Sequence, residues 1–255
     1  MKAQTTRRSV QGELLKLSHE LGKPEYRLAI FGEGNTSALV DEKTFFIKAS
    51  GAELRTLRRD QLVRVRFETV LPMLDRELDQ DQIRDTLLAS RVDPKSLKPS
   101  VETIFHAWLL KQEGVKFIAH THPTEVNKIL CSGRAEDFAE RRLFPDEVVY
   151  CGPKSLLLEY VDPGARLATA IRDRWNQFVV KSGYTPRLIL IANHGLVAVG
   201  SSPEAVLAAT LIAVKAAEVF AGACALGNPV FMDPEEVFHI HSRLDEHYRQ
   251  KQLKL

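Results

Sequence analysis

From Leu62 to Phe67 the chain alternates, with apolar Leu62, Val63, Val65 and Phe67 set against Arg64 and Arg66, the period of a half-buried strand. Two similar β-like runs precede it, Arg27–Phe31 and Thr44–Lys48, joined by the turn-rich FGEGNTSALV. Helical spacing appears first over Ser9–Gly22, where Val10, Leu14, Leu15, Leu17 and Leu21 stand among polar residues. It returns over Ser100–Gly114, with Ile104, Ala107, Trp108 and Leu110 recurring, Pro99 before it and Gly114 after its last turn. Val115–Thr121 then reads as a strand, and Pro123–Leu130 opens another helix. Two later helices carry start signals. Asp162-Pro163 and Ser202-Pro203-Glu204 each place an N-cap before a proline at the first helical position. The second runs to about Leu226 and is apolar and alanine-rich, as a buried, closely packed helix would be. Between them RLILIANHGLVAVG, 187–200, pairs two apolar runs across the polar turn Asn193-His194-Gly195, the pattern of a hairpin. Interleaved strands and helices predict one three-layer α/β/α domain over 1–255, with a mixed, largely antiparallel sheet covered by helices.

Composition narrows the function classes. The 255 residues are 44% hydrophobic, enough for one domain with a substantial core. The more polar stretch 71–100 reads as a helix and loop inside that domain. With 35 basic and 33 acidic residues the net charge is +2, a balance that argues against a nucleic-acid or membrane binder. No apolar run approaches the roughly 20 residues that span a bilayer. The N-terminus lacks the apolar stretch of a signal peptide. Cys131, Cys151 and Cys224 form no CxxC pair or disulfide framework, and free thiols suit a reducing cytoplasm.

Candidate chemistry centres on IAHTHP. Side chains two apart on a strand share a face, so His120 and His122 project together while Thr121 points away. Two such imidazoles can chelate a divalent ion, although a zinc site needs three or four ligands, and a chance His-x-His at a strand end fits the pair equally well. His194 is a third candidate, in a turn that Gly195 allows to bend tightly. A satisfied loop histidine is the bland alternative. Glu102, at the start of the helix leading into the His-x-His strand, reads either as a first-turn carboxylate stabilised by the helix dipole or as a proton carrier beside a metal. His19 and His106 occupy plausible surface or packing positions. His239, His241 and His247 read as solvated residues of a charged C-terminal helix. Gly32–Ser37 and Lys48–Gly51 are Gly/Ser-rich turns of the kind that offers N–H groups and hydroxyls to an anion, but neither has the spacing of a P-loop or a dinucleotide fingerprint.

Taken in order, GEGNTS, KASG, KPSVET, AHTHP and ANHGLVAVG resemble the class II aldolase/adducin family over residues 8–226. PSVET with KASG is most similar to the rhamnulose-phosphate aldolase domains that occur fused to a dehydrogenase; a C-terminal helical segment, about 227–255, lies beyond the family core. The resemblance implies a divalent metal, zinc or in its place Mn2+ or Co2+, held by His120, His122 and His194. It makes Glu102 the catalytic acid/base. It assigns a substrate phosphate to Gly34, Asn35, Ser50, Gly51 and Ser100, and implies a homotetramer with active sites between subunits. Where many relatives carry a second serine, this chain has Val101, which removes one hydroxyl from the phosphate cradle; Lys48 offers charge in its place. The family's tyrosine proton donor has three candidates, Tyr150, Tyr160 and Tyr248.

These readings imply reversible cleavage of a ketose 1-phosphate to dihydroxyacetone phosphate and an aldehyde, through an enediolate stabilised by the metal. Epimerisation or dehydration of a related sugar phosphate uses the same site. A non-catalytic, adducin-like assembly module would have no need of three convergent imidazoles.

Overall fold

The computed structural model describes residues 9–243. Its elements in chain order are α1 Val10–Leu21, β1 Asn35–Leu39, β2 Thr44–Lys48, β3 Leu62–Arg66, α2 Phe67–Val70, α3 Gln80–Ala89, α4 Thr103–Leu109, β4 Phe117–Thr121, α5 Thr124–Leu130, α6 Ala135–Glu140, α7 Pro145–Cys151, β5 Leu156–Leu158, α8 Ala165–Ser182, β6 Leu188–Ile191, β7 Gly195–Gly200, α9 Pro203–Leu226 and α10 Pro234–Ser242.

All seven strands form one sheet in the order β3-β2-β1-β4-β7-β6-β5. Every pair is antiparallel except β5 with β6, so the sheet is mixed and largely antiparallel, as the sequence predicts. α1, α5 and α9 cover one face, while α4 and α8 cover the other. The two faces of β1 show the division. Thr36 Oγ1 meets Ser18 Oγ of α1 at 2.7 Å, and the next residue, Ser37, turns its hydroxyl to His106 of α4, also at 2.7 Å.

The first strand departs from the sequence reading. Residues 27–31 are not a strand, because Arg27 (φ 51°) and Phe31 (φ 53°) adopt left-handed backbone that a strand cannot hold. The strand is instead Asn35–Leu39, inside the stretch that reads as a turn-rich connection. Its polar residues conceal it: Asn35, Thr36 and Ser37 are buried on both faces, each with a hydrogen-bond partner from a covering helix or its leading turn.

Helix ends differ in detail. α4 is shorter than the predicted span at both ends. α8 starts after Gly164, whose φ of 115° no other residue type tolerates readily, so Asp162 is not its cap. Ser202 does cap α9, accepting from the Ala205 N–H at 3.0 Å. α9 is long and apolar enough to cross a bilayer by length and composition, although Glu204, Lys215 and Glu218 break it into shorter uninterrupted apolar runs. In the fold it is a core helix on one face only: Val206, Ala209, Ala213, Ala216, Ala217 and Phe220 are buried, while Val219 and Leu226 are exposed. α10 is pinned to α7 through Val148, Val149, Val237 and Ile240. The three cysteines are free thiols.

Candidate metal centre

Topology brings the histidines together. His120 stands opposite Asn35 of β1 and Val197 of β7, and Thr121 stands opposite Leu196. The β6–β7 turn therefore lies at the end of β4 that carries the histidines, and His194 in that turn reaches His120 from 74 residues away. The bend itself comes from Asn193, with φ 55°, not from Gly195 as the sequence suggests. Gly195 serves a different need, close approach: a Cβ there would lie 2.5 Å from the Thr121 carbonyl oxygen and 2.8 Å from Cδ2 of His122.

The Nε2 atoms of His122 and His194 lie 3.1 and 3.2 Å from Nε2 of His120, and the ligand atoms of the group all fall within 4.8 Å of one another. Two nitrogens each about 2.1 Å from one ion would be roughly 3.0–3.4 Å apart, so the spacing suits a shared ion. The protonation pattern fits as well. His120 Nδ1 donates to the Leu196 carbonyl at 2.9 Å, which leaves its Nε2 with a bare lone pair facing the other two rings. Burial pushes His120 down to about 4, with Leu196 opposing and Lys48 adding to the fall. Burial, together with His120 and His194, pushes His122 to about 4. His194 is lowered by burial and by His120, with Glu102 opposing. Three neutral imidazoles with converging lone pairs form a donor set that a divalent cation would satisfy.

Glu102 is the fourth group. It is the N-cap residue of α4, yet its carboxylate makes no capping bond. It turns inward, 6% exposed, with Oε2 3.5 Å from His120 Nε2 and Oε1 3.7 Å from His194 Nε2. The bland reading of a first-turn stabiliser does not describe this geometry. Asn35 Nδ2 donates to Glu102 Oε2 at 2.6 Å, and Asn35 Oδ1 meets His106 Nε2. His106 is fully buried, held well below its ordinary pKa by burial and by His120. From sequence His106 reads as a surface or packing residue and Ser37 as part of an anion-binding turn; neither reading joins them to Glu102. Glu102-x-x-x-His106 places both residues on one helical face, and that spacing was the available signal.

The two turn segments also meet. Ala49 bridges Pro99, Ser50 N–H donates to the Lys98 carbonyl at 2.9 Å, and Ser100 N–H donates to the Lys48 carbonyl at 3.3 Å. Ser100 Oγ lies 3.4 Å from Asn35 Nδ2, while Ser50 and Gly51 are exposed beside it. Gly34, with φ 65°, passes so close to β4 that a Cβ would stand 2.5 Å from the His120 carbonyl. Lys48 is not free to offer charge directly: its Nζ, 2% exposed as a residue, donates to the carbonyls of Gly32, Ala49 and Ala52. Burial pushes Lys48 down to about 8, with Glu102 opposing. Val101 is exposed.

Tyr150 lines a pocket of about 240 Å3 with Val115, Val199 and Gly200, at the opposite end of β4 and β7 from the histidines. Tyr160 is exposed. Tyr248 and His247 lie outside the described residues. His239 is exposed on α10, whereas the half-buried His241 packs its ring 5.4 Å from that of Tyr184.

Fold and site define an α/β domain carrying a three-histidine group suited to a divalent metal. The family model of the class II aldolase and adducin N-terminal domain matches residues 12–221, and the chain belongs to that family. The chain is 27% identical over 217 residues to the uncharacterized oxidoreductase YuxG of Bacillus subtilis (strain 168), covering 82% of this chain and 29% of that protein. It thus spans under a third of the length of that relative. It is 26% identical over 190 residues to the 3-oxo-tetronate 4-phosphate decarboxylase of Haemophilus influenzae (strain ATCC 51907 / DSM 11121 / KW20 / Rd), covering 73% of this chain and 76% of that one. A solved L-fuculose 1-phosphate aldolase superposes with a TM-score of 0.68 at 20% identity, covering 96% of this chain and 100% of that one, a likeness of fold.

Proposed function

We propose that the protein is a metal-dependent aldolase that reversibly cleaves a ketose 1-phosphate, of the rhamnulose- or fuculose-phosphate type, to dihydroxyacetone phosphate and an aldehyde. The observation that carries this reading is the convergence of three neutral imidazoles on one point with a buried carboxylate 3.5–3.7 Å from two of them. His120, His122 and His194 would hold zinc, or Mn2+ or Co2+ in its place. Such an ion supplies a Lewis acid for the negative charge that a retro-aldol cleavage leaves next to a carbonyl. Glu102, a carboxylate at the outset, takes up the hydroxyl proton that the substrate releases as the carbon–carbon bond breaks and the aldehyde forms, hands it to the enediolate carbon, and reverses both transfers in the synthetic direction. Its burial keeps water from competing for that proton, and Asn35 fixes the carboxylate plane.

The phosphate end of the substrate lies against Gly34, Ser50, Gly51 and Ser100; Asn35, which the resemblance also assigns to the phosphate, has its amide engaged by Glu102 and His106 instead. Lys48 contributes through its field and by tying the 32–34 and 49–52 turns together. The same reading places the protein in the cytoplasm as a homotetramer with interfacial active sites.

A second reading is favoured by one observation, the coverage of 76% of the Haemophilus influenzae decarboxylase. Decarboxylation of a 3-oxo sugar-acid phosphate passes through the same kind of enolate. Epimerisation and dehydration are the other outcomes open to this chemistry. The test is a product assay of the zinc-loaded protein on ketose 1-phosphates and on 3-oxo sugar-acid phosphates. Release of an aldehyde with dihydroxyacetone phosphate supports the aldolase. Carbon dioxide, an epimer or a dehydrated ketone would replace it. Absence of stoichiometric metal would leave the adducin-like assembly role.

A further inference from the structure

Three side chains behind Glu102 form a file of hydrogen bonds that ends on its carboxylate, all buried: Ser37 Oγ to His106 Nδ1 at 2.7 Å, His106 Nε2 to Asn35 Oδ1, and Asn35 Nδ2 to Glu102 Oε2 at 2.6 Å. The chemistry of the end group orients the file. A carboxylate only accepts, so the Asn35 amide must present its NH2 to Glu102 and its carbonyl to His106. That carbonyl can only accept, so His106 carries its proton on Nε2. Its bare Nδ1 then accepts from the Ser37 hydroxyl. Each assignment forces the next, and the opposite amide orientation would set the Asn35 carbonyl against the carboxylate.

We propose that His106 is a positioning residue: its Nε2–H locks the Asn35 amide, and the locked amide holds the Glu102 carboxylate aimed between His120 and His194. This rests on the role given to Glu102 above. Three features support the directional relay. His106 touches no point where a substrate is proposed to bind, yet its ring is fully buried beside the histidine group. The low dielectric there strengthens each bond and makes a mis-set amide costly. His106 also sits one helical turn after Glu102, on the segment that delivers Glu102, so the helix that carries the carboxylate carries its lock. Finally, Ser37 and Asn35 are alternate residues of β1 and point to the same face, so one strand supplies both the first donor and the central amide.

Two measurements decide it. Neutron diffraction from crystals of the zinc-loaded protein, with no substrate present, reads the protons directly. The expected result is a proton on His106 Nε2, none on Nδ1, and the Asn35 NH2 facing Glu102. A proton on Nδ1, or the Asn35 carbonyl facing Glu102, overturns the relay even if the protein is an aldolase. Kinetics provides the second. His106→Phe should lower kcat about 10-fold or more, with KM and zinc content unchanged, because what is lost is the aim of Glu102 and not binding. His106→Gln, which can still donate to Asn35, should recover most of the rate. In an Asn35→Ala background His106→Phe should cost nothing further. Equal losses in the two backgrounds, or no rescue by Gln, overturn the relay. If His106→Phe does not fold, Ser37→Ala with His106→Gln gives the same comparison. If no sugar phosphate is turned over, the aldolase reading fails on its own and the diffraction result still stands or falls.

Discussion

Gly195 and His122 are packed so closely that a methyl group on Gly195 would stand 2.8 Å from the His122 ring and 2.5 Å from the Thr121 carbonyl. The second contact is with backbone of β4, which is paired on both sides and cannot yield. Gly195→Ala should therefore displace His122 from the group. Zinc affinity, measured by competition with a chelator, is expected to fall at least about tenfold with the far-ultraviolet circular dichroism unchanged. Wild-type affinity in this variant would mean that the ring is free to move aside.

Glu102→Gln removes the charge and proton capacity of the carboxylate and keeps its shape. Since the three histidines remain, elemental analysis should find the same metal content as in the wild type. Turnover of the ketose phosphate should drop by about 100-fold or more, with KM little altered. A Glu102→Gln variant that keeps both metal and full activity would remove Glu102 from the chemistry.

The metal-free protein should lose stability in mild acid. His120 and His122 titrate at about 4 in the fold against an ordinary 6.5. Between those values the unfolded chain binds more protons, so stability rises with pH across the window and is lost as pH falls from about 6.5 toward 4. For His120 alone the difference corresponds to about 3 kcal/mol. Calorimetry of the metal-free protein from pH 7 to 4 should show Tm falling through this range. Metal release should follow the same direction, since protons and the ion compete for the same nitrogens. A Tm that stays level down to pH 4 would contradict the buried, neutral state of these rings.

Lys48 ties two turns together by giving its three protons to the carbonyls of Gly32, Ala49 and Ala52. Lys48→Met keeps most of the stem and strands those acceptors, at a cost of about 1–3 kcal/mol. Urea denaturation at neutral pH reads the loss directly. An unchanged midpoint would show that water replaces the ammonium at no cost.

Much of the fold is legible in the chain because its signals are local. The alternation at 62–67, the hairpin at 187–200 and the serine cap at Ser202 each come from a few neighbouring residues, and each element forms close to where the pattern puts it. β1 is not legible, because Asn35, Thr36 and Ser37 are polar and their partners lie on α1, on α4 and at its leading turn, far along the sequence. The run 27–31 misleads for the converse reason: its residues favour a strand, but left-handed turns at Arg27 and Phe31 aim the backbone at His122, whose N–H donates to the Leu28 carbonyl at 2.8 Å.

The site divides in the same way. The sequence by itself determined the donor types, the paired faces of His120 and His122, and, through the order of its motifs, the family. Only the tertiary structure decided that His194 meets them, since that depends on β4 and β7 being antiparallel neighbours. It also decided that Glu102 turns inward instead of capping its helix, that Lys48 is spent on backbone carbonyls, and that His106 is joined to Glu102 through Asn35. Residue chemistry is carried by the chain one position at a time. Which lone pair faces which proton is fixed only when strands and helices distant in sequence pack against each other and exclude the water that would otherwise satisfy them.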